Sequence, residues 1–121
     1  MAVFNENKPI YLQIADRLCD EILERKYAED SRIPSVREYA AALEVNVNTV
    51  VRSYDYLQEK QVIYNRRGLG YFVAPDAIGN ILAARRIQFM EEELPAFFTR
   101  LRQLDIPIEE IVALYHEKSK Y

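Results

Sequence analysis

Two helix-start signals eleven residues apart break the middle of this chain into short pieces. Ser35-Val36-Arg37-Glu38 has the spacing of a capping box, in which the serine oxygen accepts the Glu38 amide proton and the Glu38 carboxylate accepts the Ser35 amide proton. Asn46 reads as a second N-cap, with Val45 before it and Val50 four positions beyond, the pairing of a hydrophobic staple. Starts this close exclude one long helix through the region. The chain must form a helix of about three turns at most, turn sharply and begin again.

The flanking segments extend that pattern. From Pro9 to about Lys26, apolar residues recur as Ile10, Ile14, Leu18 and Ile22 and again as Tyr11, Ala15, Cys19 and Leu23, the spacing of a helix buried on one side. Pro9 suits the first helical position. A polar connection, residues 27–34, ends in Pro34. The second helix starts at Ser35, carries Val36, Tyr39, Ala40 and Leu43 on one face and stops near Glu44. The third runs from Asn46 to about Lys60. Its core face is Val50, Tyr54 and Leu57, with Val51 also inward, and its polar face offers Asn48, Thr49, Arg52, Ser53 and Asp55. Ala40 and Val50 fall where the two helices cross closely.

Val62-Ile63-Tyr64 and Tyr71-Phe72-Val73 are β-prone runs, and Gly68 and Gly70 between them permit the positive backbone angles of a tight hairpin. Arg66 and Arg67 make its tip basic. Tyr64 and Tyr71 read as cross-strand packing partners rather than ligands. Pro75-Asp76 closes a first domain, residues 1–76, and residues 77–121 form a second, helical one. In the second, Pro95 predicts a kink or break between Glu93 and Pro95, and a last helix runs from Pro107 to about Lys118. The expected fold is mainly α with one small β-hairpin.

Composition narrows the chemistry. Cys19 is the only cysteine and His116 the only histidine in 121 residues, which excludes an internal disulfide and a four-cysteine zinc site and makes a metal or thiol enzyme a poor fit. Cys19 lies in an apolar stripe and reads as a buried inert thiol. Glu91-Glu92-Glu93 is a consecutive run, which forms a solvated face rather than a catalytic pair. No enzyme, cofactor or metal is expected. No apolar run approaches the roughly 20 residues that span a bilayer, and residues 1–6 lack a basic region followed by an apolar stretch. No membrane association is read, and the expected location is the cytoplasm.

The net charge of −3 argues against a nucleic-acid partner, but it hides a local excess. Residues 8–31 carry four Lys/Arg against six Asp/Glu, whereas residues 32–73 carry six against four. The helix pair and the hairpin fall inside the positive part. A short helix, a turn, a helix with small polar and basic residues near its start and then a hairpin is the order of a winged helix-turn-helix. The major groove of B-DNA admits one α-helix, whose N-terminal side chains reach base edges, and Asn48, Thr49 and Arg52 are so placed. The alternative is a winged-helix module that grips a protein, which the acidic balance favours.

Four blocks, residues 9–14 (Pro-Ile-Tyr-Leu-Gln-Ile), 33–38 (Ile-Pro-Ser-Val-Arg-Glu), 45–50 (Val-Asn-Val-Asn-Thr-Val) and 68–73 (Gly-Leu-Gly-Tyr-Phe-Val), together resemble the DNA-binding domain of GntR-family transcription regulators. Residues 48–54 and Glu93-Leu94-Pro95 resemble its short YtrA-like subfamily. The resemblance implies a homodimeric repressor that binds an inverted-repeat operator in double-stranded DNA, often beside transporter genes. It implies contacts from Ser35 and Arg37 to phosphate or groove edge, and places Asn48, Thr49 and Arg52 in the major groove. Arg66, Arg67, Gly68 and Gly70 then form the wing. The chain departs from the pattern at Glu44, where many relatives have glycine, and at Val47, where they have a basic residue or proline.

About 45 residues after the boundary are too few to enclose a typical ligand pocket in one chain, so the sequence identifies no small-molecule effector. Phe89, Phe97, Phe98 and Leu101 exceed what so short a segment can bury on itself. A two-fold dimer interface is the expected outlet.

Overall fold

The structure is a computed structural model that describes Phe4 and residues 7–117. Its elements run α1 (Ile10–Leu23), α2 (Val36–Leu43), α3 (Val47–Glu59), β1 (Ile63–Arg66), β2 (Gly70–Val73) and α4 (Ala77–Gln88), then a π-helical turn (Phe89–Glu93), α5 (Leu94–Gln103) and α6 (Ile108–Tyr115). The described residues form two compact units, one through Leu82 and one from Ala83. The division falls inside α4, beyond Pro75-Asp76, because Ala77 and Ile81 are buried in the first unit's core. No helix among the described residues is long and apolar enough to cross a membrane.

Local chemistry starts and stops the helices of the first unit. Pro9 stands one place before α1, and its carbonyl accepts from the amides of Leu12 at 3.1 Å and Gln13 at 3.2 Å. The capping box at α2 is closed: the Ser35 amide donates to Glu38 Oε1 at 2.8 Å, and the Glu38 amide donates to Ser35 Oγ at 3.1 Å. Hydrogen bonds from the Ser35 backbone and hydroxyl hold the Glu38 carboxyl below its ordinary range. Asn46 Oδ1 accepts from the Asn48 amide at 2.7 Å and so caps α3.

Glu44 terminates α2 with φ 57° and ψ 47°, the left-handed region that costs a side chain energy and glycine almost none. This is the position where the family pattern has glycine. Glu44→Gly is expected to raise unfolding stability by about 0.5–1 kcal/mol. The check is a urea midpoint that rises with an unchanged slope.

The core of the first unit is built from Ile14, Leu18 and Ile22 of α1, Tyr39, Ala40 and Leu43 of α2, and Val50, Tyr54 and Leu57 of α3. Each buried valine, leucine or isoleucine among them contributes about 1.5–3 kcal/mol. Ser53 corrects the expected polar face of α3: it is fully buried, its hydroxyl 2.7 Å from the Tyr11 carbonyl oxygen and 3.0 Å from that of Thr49. The reason is the approach of α1, which the small side chain of Ser53 permits. Val51 is half-buried.

Strands β1 and β2 pair antiparallel, with Tyr64 opposite Phe72 and Asn65 opposite Tyr71. The two tyrosines are therefore not paired with each other. Tyr64 stacks on Phe72 at 5.7 Å, whereas Tyr71 meets Tyr54 of α3 edge-on at 4.9 Å. The connection before α2 also joins this hairpin: Arg32 bridges Phe72, and the Ile33 amide donates to the Tyr71 carbonyl at 3.0 Å.

In the second unit, Pro95 neither breaks nor ends the helix. The backbone stays right-handed through Gln88, Glu93 and Leu94, and the Leu94 amide donates to the Phe89 carbonyl five residues back. Widening to a π-turn absorbs the ladder mismatch that a proline ring creates, and Pro95 falls in the first turn of α5, where its missing N–H is tolerated. Leu101, expected among the surplus apolar side chains, is instead only 7% exposed and packs inside the unit. The surplus lies elsewhere. Phe89 and Phe97 are 47% and 43% exposed, Phe98 is half-buried, and Met90, Leu104, Ile108, Val112 and Tyr115 are exposed as well. The expected end of the last helix near Lys118 lies outside the described residues.

Candidate nucleic-acid interface

The N-terminal part of α3 presents the first group of side chains. Asn46 does the capping, so Asn48 is exposed and Thr49 half-buried without that duty. Arg52, in the second turn, is exposed and lies with its guanidinium carbon 4.0 Å from the centre of the Tyr11 ring. Asn48, Thr49 and Arg52 line one open groove of about 400 Å³ with Pro9, Ile10 and Tyr11. Val47, the departure from the family pattern, packs half-buried against the core, which is why an apolar residue suits it.

The start of α2 presents the second group. Ser35 lies half-buried at this helix start, its Oγ taking the Glu38 amide proton and its hydroxyl engaged with the Glu38 carboxyl. Arg37 is exposed and forms no ion pair with Glu38 or Glu44, so a merely solvated pairing does not account for it. Its place in the first turn, where the helix dipole disfavours a cation, favours an external anion.

The wing presents the third group. Arg66 and Arg67 are exposed, and the Arg66 guanidinium carbon lies 5.4 Å from the centre of the Phe72 ring. Gly68 has φ 78° and open space where a Cβ would point, so the backbone there is accessible to a close partner. Gly70 has φ 110°, and a Cβ on it would meet Arg32 Nε at 3.1 Å. Arg32 is thus a cation at the base of the wing that the sequence reading did not single out; its signal was an arginine directly preceding the Ile33-Pro34-Ser35 block.

Tyr54 ties the three groups together. Its hydroxyl donates to the Pro34 carbonyl at 2.6 Å, next to Ser35, and its ring meets Tyr71 of the wing and, at 6.2 Å, Tyr39 of α2. Tyr39 in turn donates to Glu21 Oε1 at 2.8 Å. Burial pushes both phenols well above their ordinary value near 10, so both remain protonated donors. A reading helix, a second helix and a basic wing locked to one scaffold can engage a groove and its bordering phosphates together.

Comparison with known proteins agrees. The family model for bacterial regulatory proteins of the gntR family matches residues 10–73. The chain belongs to the GntR family. This GntR chain is 33% identical to the HTH-type transcriptional regulator YhcF of Bacillus subtilis over 90% of its length and 88% of the relative's. It is 29% identical to the HTH-type transcriptional repressor YtrA of the same organism over 69% of its length and 65% of that protein's. A GntR-family regulator structure from Bacteroides thetaiotaomicron superposes at TM-score 0.81 with 54% identity, covering 93% of this chain and 97% of that one. The AraR DNA-binding domain in complex with operator ORX1 superposes at TM-score 0.56 with 25% identity, covering 60% of this chain and 93% of that one. This GntR chain is accordingly a winged-helix, DNA-binding transcriptional regulator rather than an enzyme.

Proposed function

We propose that this regulator is a homodimeric repressor that binds an inverted-repeat operator through α3 and the wing, and that its targets include transporter genes. The observation that carries the reading is the exposed Arg52 beside Asn48 and Thr49 at the open end of α3. Asn48, Thr49 and Arg52 reach base edges; Ser35 and Arg37 hold phosphate; Arg66 and Arg67, with the backbone at Gly68 and Gly70, follow the adjacent minor groove. The exposed Phe89 and Phe97, with Phe98 beside them, supply the apolar contact to a second copy. Such a contact sets the spacing of two reading heads about one helical turn apart.

The test is selection of bound sequences from a random duplex pool, followed by titration of the recovered site at several salt concentrations. A two-fold symmetric motif is expected, with affinity that falls steeply as salt rises. Arg52→Ala is expected to lose discrimination at one base position per half-site, a penalty of about 1–3 kcal/mol, whereas Arg67→Ala lowers affinity for all sequences alike and flattens the salt slope by about one. Recovery of no motif, or an Arg52→Ala profile identical to that of the wild type, overturns the assignment.

A further inference from the structure

The groove side of Arg52 is not bare solvent. Its guanidinium carbon lies 4.0 Å from the centre of the Tyr11 ring, within the range of a cation–π contact. Tyr11 is itself fixed to α3 at two points. Its ring meets Tyr56 edge-on, with centroids 6.2 Å apart and planes at 78°, and its carbonyl oxygen takes the hydroxyl of the buried Ser53 at 2.7 Å. Residues 52, 53 and 56 of α3 therefore all touch one residue of α1.

We propose that Tyr11 is a positioning residue for base recognition, its ring holding the Arg52 guanidinium in the orientation from which that side chain reads the groove. The inference rests on the base contact proposed for Arg52. A guanidinium stacks through its face and donates through its edge, so the ring occupies a surface that hydrogen bonding does not need and leaves the planar fork of donors free. That fork matches the O6 and N7 acceptors of guanine. Stacking also removes rotamer freedom before DNA arrives, which lowers the ordering cost on binding. The base served by the pair is thus a guanine.

The experiment repeats the sequence selection with the full chain carrying Tyr11→Leu, Tyr11→Phe, Arg52→Ala and the Tyr11→Leu/Arg52→Ala pair. Arg52→Ala is expected to erase a guanine preference at one position per half-site. Tyr11→Leu is expected to weaken the same preference about fivefold and no other. Tyr11→Phe, which keeps the ring, should retain it, and the double variant should match Arg52→Ala alone. In the unbound protein, the ring-current shift of the Arg52 side-chain protons should persist in Tyr11→Phe and vanish in Tyr11→Leu. Should Tyr11→Leu fail to fold, Tyr11→Met replaces it: the side chain fills much of the same space but offers no ring face to the guanidinium, and the same weakening of the guanine preference is expected. An unchanged guanine preference in Tyr11→Leu, or in Tyr11→Met in its place, alongside its loss in Arg52→Ala, overturns the inference and leaves the Arg52 contact standing. Uniform weakening on all sequences by Tyr11→Leu overturns it too. An unaltered profile in Arg52→Ala removes the reading beneath it.

Discussion

Phe97→Glu is expected to convert the proposed dimer to a monomer and to weaken operator binding by about a hundredfold or more. The ring of Phe97 is 43% exposed and meets Phe98 at 6.4 Å, so within one chain it contributes little that a carboxylate would upset. Monomer stability should change by no more than about 0.5 kcal/mol. In the proposed dimer the effect differs, because a carboxylate at position 97 buried against apolar side chains of a second copy would have no partner and would lose its hydration. Loss of the proposed dimer would separate two reading heads whose linkage makes the second contact intramolecular, and the affinity gained from linkage would disappear with it. Sedimentation velocity gives the oligomeric state, and titration of a full operator against a half-site gives the linkage. The monomer should bind both with the same weak affinity. Gln103→Glu, an exposed polar position on α5, serves as the control and should leave the dimer intact. A dimer that survives both Phe97→Glu and Phe89→Glu would move the interface off this face.

How far each feature was legible in the sequence follows the range of the interaction that creates it. A capping box is contained in four residues, so Ser35 and Glu38 announced the start of α2, and Asn46 did the same for α3. The hairpin was legible for a similar reason, since Gly68 and Gly70 supply the positive φ angles of its turn within one short segment. Ser53 was not. Its polarity matches the outward face of α3, and only the Tyr11 carbonyl, 42 residues earlier, turns that position inward. The pairing of residues 30–33 with β2 was equally hidden, because the Arg32–Phe72 bridge forms between a stretch with no apolar alternation and a strand far along the chain. At Pro95 the residue itself was plain but the π-turn that accommodates it was not, since that widening is a backbone rearrangement upstream of the proline. Of the candidate interface, the residue types of α3 and the wing were legible. Tyr11 and Arg32 were missed because each joins the interface through the fold, Tyr11 by crossing α3 and Arg32 by lying along the wing.

Tyr54→Ala is expected to cost about 3–5 kcal/mol, a large share of what a unit this size possesses. The side chain is fully buried and removes a ring that contacts Tyr39 and Tyr71 together. Its loss also leaves the Pro34 carbonyl without the hydroxyl that lies 2.6 Å away. Tyr54→Phe separates these contributions. It keeps the ring and deletes the donor, and the unpaired carbonyl should cost about 1–3 kcal/mol. Functional loss should follow in the same order, since the hydroxyl fixes the loop that carries Ser35 and the ring fixes the wing through Tyr71. In Tyr54→Phe the wing contact is retained, so wing-dependent affinity should be close to wild type while the contribution of Ser35 and Arg37 falls. Denaturant titration of both variants, with operator binding measured well below each unfolding midpoint, distinguishes the two effects. Equal destabilisation by the two substitutions would mean that the hydrogen bond to Pro34, and not the aromatic cluster, joins α3 to the second helix.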